Sequence, residues 1–205
     1  MSVDLLVEEI NTLLYGNNPR TIIGIVGKPG AGKSTVVSEI QNRFSADEVA
    51  IIPMDGYHLS NEELIELGRR HRKGAPDTFD VAEFISLITK VKNELAKDHT
   101  FPIFHREIEA SKADEGLVPR KIKVIVIEGN YLFSEEYGWG EVFPLLDQSW
   151  FIEIDDEVRM QRLIARHIKY GKLPQEAEDW SRGSDEANAK FIAKTASRAE
   201  RIIKL

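Results

Sequence analysis

A run of small residues that ends in a lysine and a serine is the stretch of this sequence best suited to hold phosphate. Residues 27–34 read GKPGAGKS and fit the pattern G-x-x-x-x-G-K-[ST] at every fixed position. In that pattern backbone N–H groups point at phosphate oxygens, and the start of a helix adds partial positive charge. Lys33 is then expected to reach the β- and γ-phosphates of a nucleotide, and the Ser34 hydroxyl to hold Mg²⁺. The predicted nucleotide-binding residues are Gly27, Lys28, Pro29, Gly30, Ala31, Gly32, Lys33, Ser34 and Thr35.

The residues on either side of this loop fit the strand and the helix that the pattern requires. Residues 21–26 are apolar and mostly β-branched, and the apolar residues after Ser34 recur at helical spacing. The alternative is a chance glycine-rich turn between a strand and a helix. The two matching flanks favour a nucleotide site.

Strand-like and helix-like segments alternate along the chain, which favours an α/β fold. The predicted strands occupy residues 21–26, 49–54, 101–107, 124–127, 149–154 and 201–205. Their alternation with helices predicts a mostly parallel central sheet with helices on both faces. Ser2 and Asp80 are candidate helix caps. Residues 108–120 are polar and are interpreted as a loop or a hairpin, and residues 174–184 as a polar connection.

Two carboxylates stand at the ends of predicted strands. Ligands of parallel sheets bind beyond the carboxyl ends of the strands. Asp55 follows one such strand, where it could accept a proton from an attacking hydroxyl or act only as a turn residue. Glu128 follows another, where it could orient Mg²⁺ or its water, contact the acceptor substrate, or be a surface acid.

Basic side chains recur in the helix predicted after residue 154. Arg162 and Arg166 could close over the phosphates as part of a small helical lid, at about residues 159–183, or belong to a solvated helix face. Residues 69–73 contain four cationic side chains, which could gather an anionic substrate or form a solvated loop. No interdomain linker is evident, so residues 1–205 are predicted to form one domain.

The composition narrows the partners that we expect. The net charge of −7 gives no global basic surplus, which argues against nucleic acid and an anionic membrane as main partners. No apolar run approaches the ~20 residues needed to span a bilayer, and the first residues lack a basic leader. The absence of cysteine excludes disulfides, thiolate catalysis and a cysteine–zinc site. These features fit a cytoplasmic protein.

Six segments carry a resemblance to a known group of enzymes. They occur in the same order as in the P-loop small-metabolite kinases, which include uridine kinase, pantothenate kinase and phosphoribulokinase. The sequence is also similar to bacterial proteins described as nucleoside/nucleotide kinases or fructose-transport-system kinases. The segments are residues 27–34, 54–59, 72–80, 102–106, 126–131 and 162–167. At residues 55–58 the chain has Asp-Gly-Tyr-His, which is nearer the pantothenate kinase form than the Asp-Ser-Phe-Tyr of uridine kinases.

The resemblance implies roles for several residues. Asp55 is expected to be the catalytic carboxylate, and Arg162 and Arg166 to belong to the lid. Together with Lys33 they are the predicted catalytic residues. The predicted substrate-binding residues are Tyr57, His58, Asp80, His105, Arg106 and Glu128. Without the resemblance, Asp80 is most simply a helix cap, and His105 or Arg106 could contact substrate or be structural. The predicted metal ligands are Ser34 and Glu128.

The expected function is that of an ATP–Mg²⁺-dependent phosphotransferase that acts on a hydroxyl of a small metabolite. A sugar, a nucleoside and a pantothenate-like compound are all open as acceptors, and a homodimer is also open. The alternative is a nucleotide-binding regulatory NTPase or switch without a small-molecule acceptor. A guanine-reading [NT]-K-x-D motif is absent from the sequence, which favours ATP over GTP.

Overall fold

Five parallel strands form the centre of the protein. The structure is a computed structural model that describes residues 3–205, so the candidate cap Ser2 lies outside the described residues. The strands are β1 (Thr21–Gly27), β2 (Val49–Pro53), β3 (His99–His105), β4 (Ala110–Val118), β5 (Val124–Glu128), β6 (Gln148–Glu153) and β7 (Arg201–Lys204). The sheet has the order β2-β5-β1-β6-β7, and every neighbouring pair in it is parallel. This confirms the predicted fold class.

Helices cover both faces of the sheet. They are α1 (Val3–Tyr15), α2 (Lys33–Arg43), α3 (Asn61–Glu66), α4 (Val81–Asn93), α5 (Asp156–Lys169), α6 (Pro174–Trp180) and α7 (Glu186–Ala193). Apolar residues of α1 and α2 form one core with the sheet, and those of α4 and α7 form a second core on the opposite face. Strands covered on both faces need apolar residues at successive positions, which explains why the first four residues of β5 are all buried.

A two-stranded antiparallel hairpin, β3–β4, stands apart from the sheet. Its first strand begins two residues before the predicted start at residue 101. Its second strand lies within residues 108–120, for which a loop and a hairpin were both possible from the sequence. The register shifts between Phe101 and Ile103, because the intervening Pro102 has no N–H to donate to the ladder. The hairpin packs against the turn that follows β2.

The segment after β6 is helical almost throughout. Residues 174–184, interpreted from their polarity as a connection, instead form α6 and most of a π-helical turn, Ser181–Asp185. Leu173 precedes Pro174 at the first helical position, where the missing N–H of proline costs nothing. The predicted lid, residues 159–183, therefore coincides with most of α5, all of α6 and the start of the π-helical turn. Within residues 3–205, no helix is both long enough and apolar enough to cross a membrane.

Candidate active site

A cavity of about 500 Å³ opens at the carboxyl ends of β1, β2 and β5. Its walls come from the loop before α2, the turn after β2, the hairpin, and the helices α5 and α6. Predicted site residues that line it are Pro29, Lys33, Ser34, Asp55, His58, Arg106, Glu128 and Arg166. The structure thus places the predicted phosphate loop, both strand-end carboxylates and one of the two lid arginines in a single cavity.

Two glycines allow the phosphate loop to take its shape. Gly30 and Gly32 have φ angles of 81° and 97°, in the left-handed region that favours glycine. A Cβ atom at Gly30 would also lie 2.8 Å from the carbonyl oxygen of Arg159 in α5. Because α2 begins at Lys33, the free N–H groups of its first turn lie next to the cavity.

Lys33 is held in place by two acceptors. Its Nζ atom donates to the carbonyl oxygen of Gly27 at 3.0 Å and to Oδ1 of Asn130 at 2.6 Å. Burial lowers the pKa of the Lys33 ammonium, and the nearby Glu128 and Asp55 carboxylates only partly oppose this effect. Asn130 therefore orients the lysine that the sequence pattern assigns to phosphate.

The residues of this region fit a nucleotide phosphate with Mg²⁺. The Ser34 side chain lines the cavity, and its hydroxyl forms no hydrogen bond with any of residues 3–205, so it is free to act as a ligand. No three His, Asp or Glu side chains of the described chain converge as a metal cluster. Mg²⁺ is usually held by one or two protein groups together with phosphates and water.

Asp55 stands at the centre of a charged network. It lies in the short 3₁₀ turn Met54–Tyr57 directly after β2, and its Oδ2 atom accepts a hydrogen bond from Nη2 of Arg106 at 2.6 Å. Burial alone would raise the pKa of the Asp55 carboxyl. The positive charges around it, chiefly those of His58 and Arg106, outweigh burial and hold the pKa below its usual value.

The pKa of Glu128, the last residue of β5, shifts in the opposite direction from that of Asp55. Burial raises the pKa of its carboxyl, the neighbouring Lys33 lowers it, the Asp55 carboxylate raises it further, and the net direction is upward. The two strand-end acids thus share one cavity with different proton affinities. Such a separation is typical of carboxyls that perform different tasks.

The two predicted lid arginines differ in position. Arg166 lines the cavity, and its guanidinium forms no hydrogen bond or ion pair with any of residues 3–205. Burial lowers the pKa of its guanidinium, and the nearby Arg106 charge adds to that effect. Arg162 is exposed and lies outside the cavity wall, with its Nη1 atom beside Gly32 of the phosphate loop. Arg166 is therefore the cation better placed to receive an anionic group in the cavity.

Aromatic rings form the wall beside Asp55. The centroid of the His58 ring lies 4.1 Å from that of Phe79 and 4.8 Å from that of Phe104. The Nδ1 atom of His58 lies 2.8 Å from the carbonyl oxygen of Asp55. Burial lowers the pKa of the His58 imidazole, and the Asp55 carboxylate opposes this effect.

Several predicted site residues lie away from this cavity. Tyr57 and Asp80 line a second, smaller cavity, and the Asp80 carboxylate caps α4 by accepting from the backbone N–H of Glu83 at 2.9 Å. The His105 side chain contacts the Glu115 carboxylate across the hairpin, because alternate residues of a strand point to opposite sides. Its neighbours Phe104 and Arg106 face the cavity instead.

The remaining predicted residues of the phosphate loop have other surroundings. Lys28 pairs through its Nζ atom with Asp156 at the start of α5, and Thr35 is exposed on α2. Ala31 is fully buried against the sheet. These contacts hold the loop between α2 and α5 without placing the three side chains in the cavity.

Sequence reasoning missed two residues that organise the site. One is Asn130, the partner of Lys33, which lies only two residues after Glu128. The other is Arg159, whose side chain is 2% exposed and donates to Asp156, to Glu186 and to the carbonyl oxygen of Pro29. The spacing of Arg159 from Arg162 and Arg166 was a usable signal, but its partner in α7 is 27 residues away.

Comparison with known proteins agrees with this geometry. Residues 22–205 match the model of the phosphoribulokinase/uridine kinase family. The chain belongs to this family. Uridine kinase of Clostridium novyi is 34% identical over 155 residues, which cover 72% of this chain and 68% of that protein. The Escherichia coli protein YggC is 30% identical over 190 residues, which cover 91% and 78%.

Solved structures give the same result. The crystal structure described as a "putative fructose transport system kinase" from Silicibacter sp. TM1040 has a TM-score of 0.88 and 31% identity, and 98% of each chain is covered. YFH7 of Saccharomyces cerevisiae, with a TM-score of 0.84 and 18% identity over 100% and 99% of the chains, shares the fold. The protein is thus an ATP-dependent small-molecule kinase. None of these similarities supports a regulatory switch.

Proposed function

We propose that this kinase transfers the γ-phosphoryl group of ATP, with Mg²⁺, to a hydroxyl of a small metabolite that Asp55 orients. The observation that carries the proposal is the presence of the Asp55 carboxylate in the same cavity as Lys33 and Ser34. A carboxylate facing the phosphate loop across one cavity is positioned to contact the hydroxyl that attacks the γ-phosphorus.

On the donor side, backbone N–H groups at the start of α2 and the Lys33 ammonium would bind the β- and γ-phosphates. Ser34, with Glu128 nearby, would hold Mg²⁺, which neutralises charge that develops on the phosphate oxygens. Asn130 keeps the Lys33 side chain aimed into this space through its 2.6 Å hydrogen bond.

On the acceptor side, Asp55 would accept the proton of the attacking hydroxyl. The oxygen–phosphorus bond to the acceptor forms, the bond from the γ-phosphorus to ADP breaks, and the proton leaves with the Asp55 carboxyl. A carboxylate with a low pKa is a weak base, but the transition state of phosphoryl transfer is loose and depends more on orientation than on early deprotonation. The hydrogen bond that Arg106 donates fixes the orientation of the Asp55 carboxylate.

Arg166 supplies the remaining charge. Its guanidinium has no protein partner among residues 3–205 and lies on the α5 side of the cavity, so it can bind the phosphoryl group in transfer. The aromatic wall of His58, Phe79 and Phe104 would contact the rest of the acceptor. A flat apolar wall suits a sugar face, a nucleoside base or the alkyl part of a pantothenate-like compound.

A screen for acceptor-dependent ADP release tests the proposal. Nucleosides, sugars and hydroxylated vitamin precursors would each be added with ATP and Mg²⁺ to the wild-type enzyme and to Asp55→Asn. We expect one chemical class to stimulate ADP release by wild-type enzyme but not by the variant. Slow hydrolysis of ATP that no acceptor stimulates, at equal rates in both proteins, would contradict the proposed function.

A further inference from the structure

A second cavity of about 360 Å³ lies between the hairpin β3–β4, α4 and the turn after β2. Asp55, Lys33 and Ser34 line only the first cavity, whereas Tyr57 and Asp80 line only the second. The proposed phosphoryl transfer therefore does not involve the second cavity.

The turn at residues 56–58 separates the two cavities. A Cβ atom at Gly56 would lie 2.0 Å from the carbonyl oxygen of Pro102, so the turn packs directly against the hairpin. The His58 ring fills the space beside it, in contact with Phe79 and Phe104. The turn and the His58 ring would therefore separate a molecule in the second cavity from the Asp55 carboxylate.

Two hydroxyl groups on this cavity lack partners. Tyr57 is 3% exposed, and its hydroxyl forms no hydrogen bond with any residue from 3 to 205. Its ring packs edge-on against Phe84, with centroids 5.0 Å apart, which fixes the direction of the side chain. Ser111 lines the same cavity, and its buried Oγ atom also has no partner. A buried polar atom without a partner, such as the Ser111 Oγ atom, is unusual in folded proteins and indicates a missing ligand or water.

Burial and the nearby Glu83 and Asp80 carboxylates raise the pKa of the Tyr57 hydroxyl. The hydroxyl is therefore protonated at neutral pH and can donate.

The charge of the lining limits the class of ligand. Four carboxylates stand against one ammonium, Lys90; they belong to Glu63, Asp80, Glu83 and Asp114. Such an excess of negative charge repels phosphates and carboxylates. An amine would satisfy the carboxylates but would offer no acceptor to the donors Tyr57 and Lys90. A hydroxyl group can both donate to a carboxylate and accept from a phenol or an ammonium.

We propose that the second cavity is a binding site for an uncharged polyhydroxylated molecule, distinct from the acceptor site. Hydroxyls of the ligand would donate to Asp80 and Glu83 and accept from Tyr57. Its C–H faces would pack on the apolar side chains of Leu87, Phe101 and Pro102, which also line the cavity. Because the His58 ring borders both cavities, a ligand here contacts the acceptor wall without reaching the phosphate loop.

Titration of the full chain with D-glucitol and D-gluconate, followed by amide NMR in the presence of a non-hydrolysable ATP analogue, tests the proposal. The two probes differ mainly by a carboxylate. We expect D-glucitol to shift the amides of Gly56, Ser111 and Ala113 but not those of Gly30 and Gly32, and D-gluconate to shift none of them. Equal binding of the two probes, or no shift around the second cavity with D-glucitol, would overturn the proposal.

Two variants test whether D-glucitol binds through the hydroxyls of Tyr57 and Ser111. Tyr57→Phe and Ser111→Ala should each weaken D-glucitol binding by about five- to tenfold, the usual effect of one lost hydrogen bond. Tyr15→Phe, at a tyrosine that is 88% exposed, and Ser38→Ala, at an exposed serine of α2, are the matched controls and should bind as wild type. Wild-type affinity in both Tyr57→Phe and Ser111→Ala would contradict the assignment.

Kinetics separate this site from the acceptor site. D-glucitol bound behind the wall should not be phosphorylated, so it should leave ADP release without an acceptor unchanged. ADP release that rises along the same saturation curve as the amide shifts, and disappears in Asp55→Asn, would show that the second cavity belongs to the acceptor site and would refute the proposal.

Discussion

The phosphate half and the acceptor half of the main cavity are built in different ways. The phosphate half consists of the loop at residues 27–34, which is one continuous segment, together with Asn130. The acceptor half is formed by side chains from the turn after β2, residues 70–79 and the hairpin; its central members are Asp55, His58, Phe79, Phe104 and Arg106. These side chains meet only because the hairpin packs against the turn.

The difference indicates which half sets which property of the enzyme. Backbone N–H groups recognise phosphate in any nucleotide, so the phosphate half is suited to a constant donor. The acceptor half depends on packing between distant segments, so small changes there can alter which metabolite fits. We therefore expect substitutions in the phosphate half to reduce activity with every acceptor, and those in the acceptor half to change acceptor preference as well.

The largest effect is expected at the point where the two halves meet. Asp55→Asn keeps the size of the side chain but removes the proton acceptor, so kcat should fall by about 10³-fold, within the range for loss of a general base. Binding of ATP, measured by calorimetry, should change little because the phosphate loop is intact. A variant that retains a near wild-type kcat would exclude the proposed role of Asp55.

The next largest effect is expected at the two arginines that were predicted for the lid. Arg166→Ala removes the cation that lines the cavity without a partner and should lower kcat by about 10²-fold, as for loss of one preorganised donor to the transition state. Arg162→Ala is the matched control on the same helix, and its effect should be at least several-fold smaller because Arg162 lies outside the cavity. Steady-state kinetics of both variants check the order, and a larger loss for Arg162→Ala would reverse the two assignments.

The wall between the cavities should be sensitive to one added methyl group. Gly56→Ala would place Cβ 2.0 Å from the Pro102 carbonyl oxygen, so we expect a loss of about 1–3 kcal/mol of stability from overpacking, together with a raised acceptor KM. Gly183→Ala is the control, since no atom lies within 4 Å of its added Cβ. Denaturant unfolding measures both variants; equal stability would show that the turn and hairpin are free to separate.

The pH profile should report the pairing of Asp55 with Arg106. The positive charges near Asp55 hold the pKa of its carboxyl below the usual value, so wild-type activity should persist as the pH falls through that usual value. Arg106→Gln removes one of these charges, so the pKa rises and the acid limb of kcat/KM should move to higher pH. Arg70→Gln, at another cavity arginine that pairs instead with Glu109, should leave the limb in place. An unmoved limb in Arg106→Gln would refute this coupling.

The smallest effect is expected at His105, although the family resemblance assigned it to the acceptor pocket. The structure pairs its side chain with Glu115 across a half-exposed hairpin. His105→Gln should change kcat/KM by no more than about twofold and stability by less than about 1 kcal/mol, as for a polar contact at the surface. A tenfold loss of kcat/KM would place His105 at the substrate.

The sequence patterns predicted local features well. The loop at residues 27–34, the strand-end acids Asp55 and Glu128 and the parallel sheet all follow from spacing and from short apolar runs, because these features depend on neighbours in the chain. Two features were missed. The partner of Arg159 in α7 is fixed by a long-range contact that no local pattern contains. The helix at Pro174–Trp180 has a local signal, Pro174 at its first position, but its polarity was interpreted as that of a connection.

The face of the hairpin was also beyond prediction. His105 is the last residue of β3 and contacts Glu115, whereas the adjacent Arg106, in the turn that follows, contacts Asp55. Similarly, the turn after β2 places Tyr57 on the second cavity alone, whereas His58 borders both cavities. Side-chain direction at such positions requires the tertiary structure.

Tracing the γ-phosphoryl group tests the central claim most directly. ATP labelled with heavy oxygen in that group would be incubated with the enzyme, Mg²⁺ and the acceptor found by the screen, and the products resolved by mass spectrometry. The label should appear in a phosphate ester of the acceptor, in an amount equal to the ADP formed. Label found only in inorganic phosphate, at a rate independent of the acceptor, would contradict phosphoryl transfer to a metabolite hydroxyl.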